Sequence, residues 1–446
     1  MSEKKAQCAF CGEYYKKDDP SSDAVFFNAT NAEDVYICGE CVKKAYKFLG
    51  KKKDVKKKDD NLTPEEIKNF LDQYVIGQET AKKILSVASY NHMKMLDYYD
   101  HNKENKDKAV EVEKSNICLV GPSGMGKTHI VKNLARIFDV PFAIADATSL
   151  TESGYVGADV ESVLQKLINA ANGDIKKAER GIIFIDEIDK KANPAAESRN
   201  ITKDVNGMGV QQALLKLIEG SIVDVPLSGR RLNPEGDNVQ IDTSKILFIV
   251  GGAFNGIENI IKKRLNFKES NPIGISLCTD NKEEKLGKDV GYNDVIDQIN
   301  HEDLRKFGLI PEFLGRLPII CSLKELTEDE MCKVLTEPKN ALIKQYKEIM
   351  KCDNVELNFT DEAVKAIANK AIKSKTGARS LRSIMEKILN ESMYIAPSKV
   401  KQCKEPKSDY VINITEDVVN NNKKPEFILK QREEKKNNET RKTVVQ

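Results

Sequence analysis

The chain has almost no net charge. Its 446 residues carry 71 basic and 69 acidic side chains. That balance removes the electrostatic footprint of a nucleic-acid binder, so no nucleic-acid partner is expected. There is no apolar run of the roughly 18 residues that a membrane-spanning helix needs, so no membrane partner is expected either. No signal-type apolar segment stands ahead of Cys8, and no targeting peptide is expected there. The expected location is a bacterial-type cytoplasm, or an organellar matrix if a presequence has been removed. What is present is abundant charge, 31% of residues, which implies a well-solvated surface. The length suggests about three domains and is ample to bury a core.

The stretch around which the chain is organised is Gly121-Pro122-Ser123-Gly124-Met125-Gly126-Lys127-Thr128. It fits G-x-x-x-x-G-K-[ST]. An apolar segment, Asn116 to Val120, precedes it, and His129 to Arg136 follows with helical spacing. Strand, glycine loop and helix together make a phosphate site. The glycines let backbone N–H groups converge on phosphate oxygens at the positive end of a helix dipole. Lys127 is then expected to reach the β and γ phosphates, and Thr128 to hold Mg²⁺. The alternative is an ordinary tight turn in an α/β protein.

A second stretch favours the phosphate reading. Gly181 to Ile185 is an apolar run closed by Asp186 and Glu187. Such runs are parallel strands buried on both faces, and ligands sit at their carboxyl ends. Asp186 is expected at Mg²⁺, and Glu187 is the natural base for polarising a water. The chain is expected to hydrolyse a nucleoside triphosphate.

Ten cysteines are present, and an internal ATPase points to a reducing compartment. Cys8-x-x-Cys11 and Cys38-x-x-Cys41 have the spacing of a four-thiolate Zn²⁺ site. A redox disulfide or an iron–sulfur site are the alternatives. Four thiolates make a closed, structural site, whose metal supplies folding energy to a unit too small for its own core. Cys118, Cys278, Cys321, Cys332, Cys352 and Cys403 read as unpaired thiols.

The remaining chain divides by composition. Residues 1–48 form the zinc-binding domain, and 49–61 a charge-rich flexible linker. Residues 62–317 form the large ATPase domain, 318–430 a smaller, mainly helical domain, and 431–446 a disordered tail. Thr63-Pro64-Glu65-Glu66 has the pattern of a capping box, opening a helix to about Gln73. A second helix is expected from Glu79 through Met95, then a polar loop over 97–114. Strands near 116–120, 140–144, 181–185 and 245–250 with helices between them give an α/β fold, a parallel sheet flanked by helices. Tyr155 and Val156 stand between Gly154 and Gly157, either as a loop tip tucked into the core or as a mobile, exposed grip. Arg316 is an ordinary surface residue or, in a ring, a finger reaching a neighbour's γ-phosphate. Residues 376–382 open a helix with a basic first turn, which suits a nearby phosphate.

In this order the motifs resemble the ClpX family of AAA+ protein unfoldases. The resemblance runs from Cys8 to about residue 400. It rests on the four-Cys domain, Tyr74-Val-Ile-Gly-Gln78, the P-loop, Phe-Ile-Asp-Glu187 and Gly154-Tyr-Val-Gly157. To these it adds Gly-Leu-Ile-Pro-Glu-Phe-Leu-Gly-Arg316 and Thr-Gly-Ala-Arg379. The resemblance implies a homohexamer that unfolds protein substrates and feeds a ClpP-like peptidase. It implies that Val75 and Ile76 contact adenine, and that Arg316 is the arginine finger. Arg379 becomes the sensor linking the small domain to nucleotide. Tyr155 and Val156 become the substrate grip, and 199–207 a second pore loop. Adaptors and substrates would dock on the zinc domain.

This chain departs from the family pattern in three places. The loop between the CxxC pairs is longer. Arg230-Arg231-Leu232 replaces Arg-Lys-His, and Ile273-Gly274-Ile275 replaces the Ile-Gly-Phe of the peptidase-docking loop. The last change keeps an apolar side chain and loses the ring. A nucleic-acid motor and a non-motor adaptor are the rival readings. Balanced charge disfavours the first, since strand tracking needs a basic groove with stacking aromatics. Glu187 and Arg316 disfavour the second.

Overall fold

The computed structural model describes residues 5–12, 14–16, 27–28, 36–38, 41–42, 44, 62–102, 110–151, 158–193, 207–226, 238–265, 290–374, 377–402, 408–421, 423–425 and 427–431. It divides into two compact units, Met1–Leu62 and Thr63–Gln446. In the first, Lys5–Gln7 pairs antiparallel with Tyr14–Lys16, and Phe27–Asn28 with Tyr36–Ile37. Among the residues described there, Cys8 and Cys38 are the buried apolar ones.

The second unit is built on five parallel strands: β1 (Ile117–Val120), β2 (Phe142–Asp146), β3 (Ile182–Asp186), β4 (Leu247–Gly252) and β5 (Ile319–Ser322). Their order is β5-β1-β4-β3-β2. Every residue of β1 and β4 is buried, as expected of strands covered on both faces. The chain crosses from β1 to the far edge, returns through β3 and β4, and then adds β5 on the other side of β1. The loop after β1 therefore lies where the strand order reverses, the place where open α/β sheets bind ligands.

Helix α1 (Pro64–Asp72) starts as its sequence dictates. Thr63 caps it, the Glu66 carboxylate returns to the Thr63 N–H at 2.8 Å, and Pro64 occupies the first turn. Helix α2 spans Glu79–His101, one and a half turns beyond the expected end at Met95. Arg180 holds that last stretch through Asp97 at 2.9 Å and Asp100 at 2.5 Å, a long-range tie that a local reading of polar residues misses. Helix α3 (Lys127–Phe138) follows the glycine loop, α4 (Ser162–Ala170) buries Val163, Leu164, Leu167 and Ile168, and α5 spans Met208–Glu219.

The expected boundary at 317/318 needs moving. Strand β5 pairs with β1 from Ile319 opposite Ile117 to Ser322 opposite Val120, so the sheet continues past it. Its four residues are too few to stand out in a region read as helical. After β5 the chain enters a second core around Leu335, Met350, Ile367, Met385 and Ile412. That core includes a three-stranded sheet of β6 (Val355–Phe359), β7 (Ser408–Ile414) and β8 (Phe427–Gln431). Strand β6 was not expected, though Val355 and Leu357 are buried and Glu356 exposed between them, a period of two. The long helix α6 (Arg379–Gln402) crosses the same core.

The two cores meet at a clamp. Gln78, in a left-handed conformation with φ 60°, donates to the Lys324 carbonyl at 2.7 Å and accepts from the Lys324 N–H at 2.9 Å. The Lys339 N–H donates to the Gln73 carbonyl at 2.9 Å. Among the described residues no helix is long and apolar enough to cross a membrane.

Candidate nucleotide site and thiolate cluster

The glycine loop leaves β1 at Val120, whose carbonyl accepts from the Leu323 N–H at 2.7 Å. A Cβ on Gly121 would lie 2.7 Å from the Leu323 Cβ, so only glycine fits where the chain leaves β5. Gly124 and Gly126 have φ of 83° and 94°, the left-handed region that side chains disfavour. Helix α3 begins at Lys127, with its free N–H groups facing the loop. Lys127 is buried, and its Nζ donates to the carbonyls of Gly121 at 2.5 Å and Pro122 at 3.1 Å. Burial pushes its pKa down, while Asp186 and Asp189 pull it back up.

Two carboxylates face this loop from the end of β3. Thr128 Oγ1 donates to Asp186 Oδ2 at 3.1 Å, and the Glu187 N–H donates to Asp186 Oδ1 at 2.9 Å. Glu187 itself has φ 60°. A non-glycine residue there costs about 1–3 kcal/mol and is held only by its surroundings. The turn exposes the Glu187 carboxylate to a cleft of about 360 Å³ that Lys127, Thr128, Asp186 and Arg379 also line. Such a cleft suits a triphosphate: backbone N–H groups and two cations on one side, and a hydroxyl paired with a carboxylate as hard oxygen donors for Mg²⁺.

Arg379 comes from the smaller core. Gly377 turns with φ 58°, and the Ala378 N–H donates to the Gly124 carbonyl at 3.2 Å. A Cβ on Gly377 would run into Met125. Arg382 instead donates to Gln345 at 3.1 Å, away from the cleft. Val75 is buried and Ile76 half-buried, in the segment between Gln73, bonded to Lys339, and Gln78. The neighbouring Tyr74 carbonyl contacts His129 Nε2 at 3.3 Å, and the Arg136 guanidinium lies 5.3 Å above the Tyr74 ring. Both partners are on α3, so the segment adjoins the P-loop helix.

Five cleft residues were given no site role by the sequence reading: His129, Asp189, Lys190, Ala253 and Asn255. Asp189 is buried and accepts from the Ala253 N–H at 3.0 Å, which ties the acid turn to the end of β4. The glycine pair closing β4 was the available signal, since a strand end next to a P-loop is where further polar groups converge.

Arg316 lies elsewhere. It caps the short helix Pro311–Gly315, three residues before β5. Because β5 runs parallel to β1 in register, Arg316 stands at the amino-terminal edge of the sheet and the P-loop at the carboxyl edge. Its Nε donates to Glu219 Oε1 at 3.0 Å. A broader cleft of about 570 Å³ lies beside it, between His301 and Pro318. That space is larger than the P-loop cleft but contains none of its phosphate-binding chemistry.

In the first unit, the Sγ atoms of Cys8, Cys11, Cys38 and Cys41 all lie within 4.8 Å of one another. Tetrahedral Zn²⁺ with Zn–S near 2.3 Å requires sulfurs about 3.8 Å apart, and Cys11 and Cys38 are separated by 3.8 Å. The four donors fit the ion. Backbone N–H groups of Cys11 and Cys38 lower the Cys8 pKa to about 6. Of the other cysteines, Cys118 and Cys321 are buried free thiols, with burial raising both to about 12, while Cys332 and Cys352 are also unpaired. Cys278 and Cys403 lie outside the described residues, as do Tyr155, Val156, residues 199–206, Arg230 to Leu232, Ile273-Gly274-Ile275, the linker and residues 432–446.

Comparison with known proteins covers both cores. The model of the AAA domain (Cdc48 subfamily) matches residues 112–320. The model of the C-terminal, D2-small domain of ClpB protein matches residues 326–407. The ATP-dependent Clp protease ATP-binding subunit ClpX of Treponema denticola is 48% identical over 394 residues, 88% of this chain and 90% of that protein. The proteins of the same name from Borrelia duttonii and Borrelia recurrentis are each 46% identical over 428 residues, 95% of this chain and 93% of theirs.

Proposed function

The chain belongs to the ClpX family of AAA+ ATPases, and on that footing we propose that it couples ATP hydrolysis to the unfolding and threading of proteins through a homohexameric pore into a ClpP-type peptidase. The observation that carries the reading is Thr128 paired with Asp186 at 3.1 Å beside Glu187, in a chain whose Arg316 stands at the opposite end of the same strands. One chain holds most of a hydrolytic site and a finger that cannot reach it. Two copies side by side can supply the whole.

The proposal gives each motif a role. The 121–126 loop and Lys127 grip the phosphates, and Val75 and Ile76 flank the adenine. Thr128 and Asp186 would hold Mg²⁺, which when bound neutralises charge across the β and γ phosphates. Glu187 accepts a proton from the attacking water. Arg379 reports nucleotide to the smaller core, and Arg316 stabilises the γ-phosphate of the neighbouring chain. Tyr155 and Val156 grip the substrate, with 199–207 as a second contact. The four cysteines hold a structural zinc, and that unit receives substrates and adaptors. Ile273, Gly274 and Ile275 dock the peptidase. A bacterial-type cytoplasm suits such a machine.

The test is the ATPase rate of the full chain with an unfolded protein, with duplex DNA, and with neither. Stimulation by the unfolded protein is expected. Stimulation by DNA alone would replace this reading with a nucleic-acid motor. Tyr155→Ala should keep basal ATPase and melting temperature while unfolding of a stable tagged protein collapses. Loss of all three together would make Tyr155 a core residue.

A further inference from the structure

Asn116, at the entrance to β1, is only 2% exposed. Its carboxamide is fully used. Oδ1 accepts from the Phe248 N–H at 3.2 Å, and Nδ2 donates to the Ile218 carbonyl at 3.3 Å and the Arg316 carbonyl at 3.1 Å. An amide offers two donors and a carbonyl, and each has a partner. One side chain therefore joins the P-loop strand, β4, the last turn of α5 and the backbone of Arg316.

The same last turn holds Arg316 a second time. Glu219, next to Ile218, accepts from Arg316 Nε at 3.0 Å. Among the described residues no other ion pair or hydrogen bond of the Arg316 side chain is present, so its terminal nitrogens stay uncommitted. A guanidinium fixed at Nε has lost much of its rotational freedom and still offers a fork of donors to an anion. Both partners of this pair are about half exposed, where an ion pair contributes little to folding stability. Its consequence is therefore orientation.

We infer that Asn116 and Glu219 are positioning residues for Arg316, through which helix α5 aims the guanidinium at the γ-phosphate bound by a neighbouring chain. Helix α5 starts at Met208, directly behind the 199–207 segment. Its 12 residues make a stiff rod of about 18 Å, and Val210, Leu214, Leu217 and Ile218 anchor it in the core, so Glu219 at its end offers Arg316 an acceptor in a fixed place. The inference rests on the reading of Arg316 as a finger acting in trans.

A double-mutant cycle on the full chain tests it. Glu219→Ala should lower kcat for ATP hydrolysis about three- to tenfold, with KM and melting temperature unchanged. In an Arg316→Ala background the same substitution should cost nothing further. Glu219→Gln keeps an acceptor for Nε and should recover most of the rate. Asn116→Asp keeps the acceptor for Phe248 and loses both donors, and should show the same dependence on Arg316; the Glu219 cycle decides alone if that variant does not fold. An equal loss in both backgrounds would make Glu219 a structural residue of α5 and overturn the inference, as would no loss at all. Normal hydrolysis by Arg316→Ala itself would remove the finger reading along with it.

Discussion

The Ala378 N–H donates to the Gly124 carbonyl at 3.2 Å, so the smaller core rests directly on the phosphate loop. Gly377 makes the approach possible. It has φ 58°, and its bare Cα lies where any Cβ would meet Met125 and the Gly124 carbonyl. The Arg379 guanidinium reaches the cleft because this turn is so close.

Gly377→Ala should therefore push the smaller core off the loop. The left-handed conformation alone costs an alanine about 1–2 kcal/mol, before Met125 is displaced. ATP affinity should fall roughly tenfold if that cost falls on the nucleotide-bound arrangement. A labelled nucleotide measures it. Wild-type affinity would show that binding does not require the contact.

Glu187→Gln should leave ATP binding intact and slow turnover by about 10²- to 10⁴-fold, since the water loses its base. Lys127→Ala should instead weaken binding itself. The two are separated by measuring Kd and single-turnover rate on each variant. A Glu187→Gln enzyme with wild-type turnover would require another base.

Metal analysis of the full chain should find a single zinc, lost in Cys8→Ser. Protease digestion of that variant should then degrade residues 1–48 while the ATPase of the second unit persists, because the two units have separate interiors. Zinc-free protein with an intact first unit would rule out the four-thiolate site.

His92 supplies a pH dependence. It is buried, its Nε2 contacts the Lys245 carbonyl at 3.1 Å, and its Nδ1 has no partner among the described residues. Nε2 is thus assigned the proton. Burial first, then Lys114, holds its pKa near 4, against 6.5 for a free histidine. The unfolded chain binds the extra proton between those values, so stability is full above about pH 6.5 and falls as pH drops towards 4. The loss is on the order of 3 kcal/mol. Urea unfolding across that range should show it, and His92→Gln should flatten it. An unchanged slope in the variant would assign the effect to other groups.

The sequence announced chemistry where residue type and spacing carry it. The P-loop, the Asp186-Glu187 strand end, the two CxxC pairs and the Thr63 cap are local patterns, and the structure brings the first two together across a sequence separation of 58 between Thr128 and Asp186. What stayed hidden depends on partners far along the chain. The end of α2 waits on Arg180. Strand β5 exists because β1 offers an open edge. Asp189 looks like one more surface acid until Ala253 is seen against it. Asn116 gave no signal, because a single asparagine before a strand has no spacing to read.

If Arg316 is the finger proposed above, its placement at the opposite edge of the sheet from the P-loop gives each chain a donor side and an acceptor side. A two-fold pair meets through the same patch of each chain, so it would complete sites only if finger and phosphate loop both lay in that patch. Head-to-tail contacts join one chain's donor side to the next chain's acceptor side, and they either close into a ring or run on as a filament. An open string always has one fewer complete site than it has chains, whereas a closed ring has as many. On the proposed trans role of Arg316, activity per chain in a head-to-tail assembly should count closure: absent in a monomer, at most half in a pair, and whole only when the last copy meets the first.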